Sequence, residues 1–166
     1  MRTITILLII FTAVTVLGQQ KDSSMKDKLT LTDSWFNSEG DLDGLPTLIR
    51  GRDSLKNVFE TKLYNNRIEI VWEFSVKSDS GMPSNKESDF MEKAENAIVD
   101  SLERDLQSVL VSVFTWNNTR TWFFYTKSTE GFKGILNDAL SQFEERLPIH
   151  ITVESDPKLI NTNQKL

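Results

Sequence analysis

The chain has 166 residues, 39% hydrophobic and 26% charged, with no cysteine, one histidine and a formal net charge of −5. Without cysteine there are no disulfides, thiolate nucleophiles or thiolate metal sites, and a single histidine, His150, rules out a multi-histidine metal cage within one chain. The acidic balance argues against nucleic acid as the partner, and the length suits one domain that buries roughly two thirds of its unfolded surface.

Arg2 precedes an uncharged apolar run from Ile4 to Leu17, and Val16 and Gly18 place small residues at the positions a signal peptidase reads. This predicts an export signal over residues 1–18, cleaved after Gly18. Fourteen helical residues rise only about 21 Å, short of the ~30 Å hydrocarbon core, so stable membrane insertion is not expected after cleavage. Loss of Arg2 takes the formal charge to −6. An exported chain without disulfides fits a bacterial periplasm or a secreted state.

Residues 19–31 read as a polar leader and residues 32–155 as a single α+β domain. Trp35-Phe36 opens a short strand, Asn37–Gly44 reads as a loop, and Pro46–Arg50 forms a second extended piece. Gly51–Asn66 is ambiguous. Ile68, Ile70, Trp72, Phe74 and Val76 alternate with partners of the opposite face, which predicts a long half-buried strand. Ser84 followed by Glu87 is a capping-box signature, and Phe90, Met91, Ala94, Ala97, Ile98, Leu102 and Leu106 continue it as an amphipathic helix.

Val109–Trp116 and Thr121–Thr126 are predicted as a hairpin about Asn117-Asn118-Thr119. A second amphipathic helix spans residues 129–146, and Pro148 separates it from a last strand over Ile149–Val153. Residues 156–166 form a polar tail. From Arg67 the order is β-α-β-β-α-β, a ferredoxin-like split βαβ two-layer sandwich with an N-terminal extended or hairpin addition.

The positions that could carry chemistry are few. His150 sits between Ile149 and Ile151 on a strand, with no serine elbow to serve. Glu69 and Glu73 share a strand face but stand about 13 Å apart along it, too far for a glycosidase pair. The acids of the first helix, Glu87, Glu92, Glu95, Asp100, Glu103 and Asp105, read mostly as a solvated face. Asp41 and Asp43 in a glycine-flanked loop lack the spacing of a calcium loop. No cofactor is expected.

The aromatic hairpin is the most informative surface. Phe114 and Trp116 are expected to lie opposite Trp122 and Phe124 on one face, beside Glu69, Glu73 and His150. That cluster is either a secondary core covered by the segment around Trp35 and Phe36, or a recognition face for an envelope protein or a small apolar ligand. The expected function is a non-enzymatic binding or protein-interaction module. The alternatives are a structural role as a homodimer and a carboxylate-dependent envelope hydrolase.

Several motifs in order resemble the bacterial domain of unknown function family numbered 695. They are Trp35 with Gly44-Leu45-Pro46, the strand Ile68–Phe74 with Gly81-Met82-Pro83, Leu102-Glu103-Arg104-Asp105, Thr115–Arg120 with Trp122–Tyr125, and Asp156-Pro157. The resemblance implies a ferredoxin-like α/β domain and supplies no catalytic residue. Asn118 stands where the family pattern often has glycine.

Overall fold

Segments with period-two alternation form strands and those with period three to four form helices in the computed structural model, which describes residues 29–155. The export signal, most of the leader and the tail from residue 156 lie outside the described residues. In chain order the elements are β1 (Trp35–Leu42), β2 (Leu45–Arg52), α1 (Lys56–Glu60), β3 (Asn66–Glu73), α2 (Asn85–Glu103), β4 (Ser108–Trp116), β5 (Thr119–Thr126), α3 (Thr129–Leu140) and β6 (Ile149–Ser155). The six strands make one open sheet in the order β1-β2-β4-β5-β3-β6, and every neighbouring pair is antiparallel. The molecule has the two-layer character of a ferredoxin-like α/β domain, with a sheet extended past β4 by the β1–β2 arm.

The main core lies between the sheet and the helices α2 and α3. Ile68, Ile70 and Trp72 of β3 and Trp122 and Phe124 of β5 meet Met91, Ile98 and Leu102 of α2 and Phe132 and Leu136 of α3. The rings meet edge to face: Trp72 with Trp122 at 6.0 Å, and Phe124 with Phe132 at 5.6 Å. A smaller cluster forms on the reverse face, where Val58 of α1 packs with Tyr64, Val109 and Tyr125. Leu29 and Leu31 pack against this second cluster, so one corner of the reverse face is covered.

Both long helices begin on serine caps. The Ser84 side chain accepts from Glu87 N–H at 3.3 Å, and that of Ser128 accepts from Gly131 N–H at 3.1 Å. Only half of the capping box at Ser84 forms, because the Glu87 carboxylate turns inward. It accepts from Ser75 N–H at 2.7 Å and from the Trp72 indole at 3.4 Å. α3 stops at Leu140, earlier than its apolar spacing predicts. The Ser141 hydroxyl donates to the Asp138 carbonyl at 2.7 Å, and Glu144, Glu145 and Arg146 offer no apolar stripe to hold another turn.

The predicted loop over Asn37–Gly44 is instead most of β1 and its turn. Asp43 (φ 55°) and Gly44 (φ 77°) are the two positive-φ residues of a tight hairpin, and Asp41 Oδ1 accepts from Gly44 N–H at 3.0 Å. The strand is polar because it is an edge, held by its backbone ladder to β2 rather than by burial. Asn117 (φ 46°) and Asn118 (φ 63°) form the second such turn. That turn docks on the loop after β3. Ser78 N–H donates to the Asn118 side-chain oxygen at 2.7 Å, and Asn118 N–H donates to the Gly81 carbonyl at 2.8 Å. A glycine at 118 would lack the side-chain acceptor that Ser78 uses.

Candidate functional site

The register of the β4–β5 hairpin corrects the expected aromatic cluster. Its loop holds two residues, so Trp116 pairs with Thr119, Phe114 with Thr121 and Val113 with Trp122. Directly paired residues of an antiparallel ladder share a face, so from Ser112 to Trp116 even positions of β4 accompany odd positions of β5, while beyond the bulge Leu110 pairs with Phe124. Trp122 and Phe124 therefore point into the core, each 1% exposed, while Phe114 and Trp116 occupy the reverse face. The cluster would have required a loop one residue longer.

Glu69, Glu73 and His150 do share the reverse face with Phe114 and Trp116. Glu69 pairs with Phe123 and Thr152, Glu73 with Thr119, and His150 with Val71. His150 Nδ1 lies 3.9 Å from Glu73 Oε1, both side chains being well exposed. Trp116 donates its indole N–H to the Leu42 carbonyl at 3.1 Å, which ties the tip of β4 to the end of β1. The segment around Trp35 and Phe36 is not draped over this face; it joins the sheet beside β2 as β1, with the Phe36 ring over Gly51.

The richer constellation lies on the helix side, where the β1–β2 arm reaches past β4 and leaves a cleft against α2. Arg50 and Arg52 are two apart on β2 and so share a face. Both guanidinium groups stack on Trp35, at 4.8 and 4.6 Å from its ring centre. Every nitrogen of the Arg52 guanidinium is engaged: it donates to the Leu110 carbonyl at 3.0 Å, to the Thr32 carbonyl at 3.2 Å, and to both Glu103 oxygens at 2.8 and 2.9 Å. Glu103 also accepts from Leu110 N–H at 2.9 Å, beside the bulge that shifts the register between Leu110 and Ser112.

Arg50 is less fully used. Its Nη2 pairs with Glu95, whose other oxygen accepts the Trp122 indole N–H at 2.6 Å. Its Nε is buried with no partner among the described residues. Arg120 donates Nε–H to Thr115 Oγ1 at 3.0 Å, and no acceptor among the described residues meets its two terminal nitrogens. Burial holds the Arg120 guanidinium below its ordinary value; Glu95 and Glu92 oppose that shift and the like charge of Arg50 adds to it. A cavity of ≈ 310 Å³ opens here, walled by Leu48, Arg50, Glu95, Val113, Thr115 and Arg120. A second, of ≈ 470 Å³, lies on the Trp35–Glu103 side.

These residues were not singled out by sequence patterning. Glu95 lies in the apolar arc of α2 with Met91, Ala94, Ile98 and Leu102, and Glu103 lies on the stripe that turns toward β2, so neither is part of a solvated face. The signal that was present is the Arg50–Arg52 alternation in a strand, opposite an acid in an apolar helical stripe. Among the described residues no group of three or more histidine or acidic side chains could hold a metal ion.

A model described as a family of unknown function, DUF695, matches residues 33–158. The chain belongs to that family. No curated protein and no solved structure matches it. The DUF695 match takes in both walls of the cleft, the β1–β2 arm and α2, together with the hairpin that carries Arg120.

Proposed function

We propose that this DUF695 protein is a non-enzymatic, exported binding module, periplasmic or secreted, whose ligand or envelope partner enters the cleft between the β1–β2 arm and α2. The observation that carries the reading is the unused hydrogen-bonding capacity of Arg50 and Arg120 in a concave site whose inner carboxylate, Glu95, is already paired. Guanidinium groups so placed bind and orient; they do not transfer protons. The cleft carboxylates Glu95 and Glu103 are committed to Arg50 and Arg52, which lends the hydrolase alternative less support. Export rests on the pattern of residues 1–18.

The same reading takes β3-α2-β4-β5-α3-β6, with strand order β6-β3-β5-β4, as the split βαβ core, and the β1–β2 arm as the addition that creates the site. Affinity capture of tagged protein from native envelope extract tests the function. Wild-type protein should retain a ligand or partner that a folded Arg120→Ala variant loses. Equal recovery by both proteins would refute the cleft as the site.

Assembly of copies remains a second reading, favoured by Ile151 and Val153, which are 45% and 51% exposed on the edge strand β6. Sedimentation of wild type against Ile151→Lys separates it from ligand capture.

A further inference from the structure

We propose that the Arg120 side of the cleft is a binding site for a single carboxylate carried on a small apolar body, gripped by Arg50 and Arg120 with Thr115 beneath it. The inference rests on the binding-module reading and names its ligand class. The register sets the geometry. Arg50 pairs with Val113, Leu48 with Thr115, and Thr115 with Arg120, so the five residues form one patch on the helix-facing side of β2, β4 and β5. The two arginines rise from strands on either side of β4, two residues out of step and about 12 Å apart at the backbone, a span their long side chains close.

The donors point to an anion. Arg50 Nε is buried and unpartnered, and Arg120 keeps its terminal N–H groups for an acceptor that the described residues do not provide. Thr115 is buried and its oxygen already accepts from Arg120, which leaves the hydroxyl hydrogen to donate upward. A buried donor without a partner costs about 1–3 kcal/mol, and a turn of the Arg50 side chain that brings Nε to an oxygen in the cavity would recover it.

Charge selects the class of anion. At the inner wall Arg50 and Arg120 carry two positive charges and Glu95 returns one negative, which a monoanion balances there; Glu39 at the exposed rim brings the empty lining as a whole to neutral. A phosphate dianion would bring a second charge against Glu95, against Glu92 on the same helix, and against Glu39 at the exposed rim. A planar carboxylate also matches the guanidinium fork. Val113 and Leu48 supply an apolar wall, and ≈ 310 Å³ holds a group of about one amino-acid residue. The shared chemistry suits either a small organic acid or the C-terminal residue of a peptide.

The test is a titration of nitrogen-15-labelled protein followed at the arginine Nε–H signals and the Trp122 indole N–H, which senses Arg50 through Glu95. Isovalerate should give saturable shifts in the ~mM range or tighter, and its neutral isostere isovaleramide should not. Arg120→Lys and Arg50→Lys, which keep charge but lose the fork, should weaken isovalerate by about tenfold. An unchanged remainder of the spectrum shows that each variant is folded.

A peptide ending in leucine with a free carboxylate, set against its amidated form, separates the two sources. Preference for the free-ended peptide over isovalerate assigns the C-terminus of a chain; the reverse assigns a small acid. Equal response to acid and amide, phosphate binding as tight as isovalerate, or lysine variants that bind like wild type would overturn the proposal. A neutral ligand captured from extract in an Arg120-dependent manner, with a silent isovalerate titration, would remove the carboxylate and keep the binding module. Silence in both experiments removes both.

Discussion

The cleft keeps its shape only if the β1–β2 arm stays fixed to the body, and Arg52 is the residue that fixes it. Its side chain is 5% exposed and Glu103 is 15% exposed, so the pair is largely out of water. Replacing Arg52 by Met keeps an unbranched apolar side chain at this position but removes the guanidinium from Trp35 and leaves Glu103 with Leu110 N–H as its remaining partner. Removing one member of such a pair costs about 3–5 kcal/mol, and the residual exposure of Glu103 places this case near 3. For a domain of this size that corresponds to a fall in melting temperature of roughly 10 °C.

Replacing Glu103 as well, in Arg52→Met/Glu103→Leu, removes the stranded charge and should recover most of the loss. The assay is paired denaturant and thermal unfolding of the four proteins in the cycle, with hydrogen exchange of the arm amides as the local readout. A single-variant cost below about 1 kcal/mol would refute the argument. So would a double variant whose loss equals the sum of the two singles. Either result would mean that the arm is held by its ladder to β4 and not by the ion pair.

Two further predictions concern the frame of the site. Gly81→Ala should destabilise by about 2–4 kcal/mol, since it combines a left-handed backbone with overpacking. Gly81 has φ +70°, and an added Cβ would lie 2.9 Å from Asn117 Cα; a melting temperature close to wild type would show that the Asn117-Asn118 turn does not dock there. Tyr64 donates to the Leu106 carbonyl at 2.8 Å, and its hydroxyl is pushed from 10.0 to about 12, by burial first and then by the charge of Glu103. The unfolded phenol ionises at the lower value, so this stabilisation is complete below pH 10 and is lost as pH rises through about 12. Alkaline unfolding curves of Tyr64→Phe should lack that component, and identical alkaline limbs would contradict it.

The elements held by burial were legible in the sequence. Ile68 to Phe74 alternate because one side of β3 is buried, and Met91, Ala94, Ile98 and Leu102 repeat because α2 lays one stripe on the sheet. Only the start of β1 at Trp35-Phe36 was legible, because its polar residues from Asn37 on answer to a backbone ladder and leave no apolar period; the Asp43-Gly44 turn marks its end. The face of Trp122 is not legible from the hairpin pattern, because the Asn117-Asn118-Thr119 signal suggests a three-residue loop where the chain forms one of two, and that single count inverts a strand. The cleft was not legible because its bonds span long separations. Arg50 meets Glu95 45 positions away and Arg52 meets Glu103 51 positions away, contacts that no local pattern encodes.

The two tight turns leave very different room for engineering and for drift. One residue inserted at Asn117-Asn118 would reverse which side chains of β5 enter the core, expelling Trp122 and Phe124 together. One residue added at Asp43-Gly44 disturbs a hairpin tip whose residues 41–44 are all exposed. The tip of the arm can therefore carry a label or a grafted peptide looped out beyond Leu42 and Leu45, provided that the β1–β2 register that holds Trp35 on Arg50 and Arg52 is kept, while the central hairpin is confined to its present length.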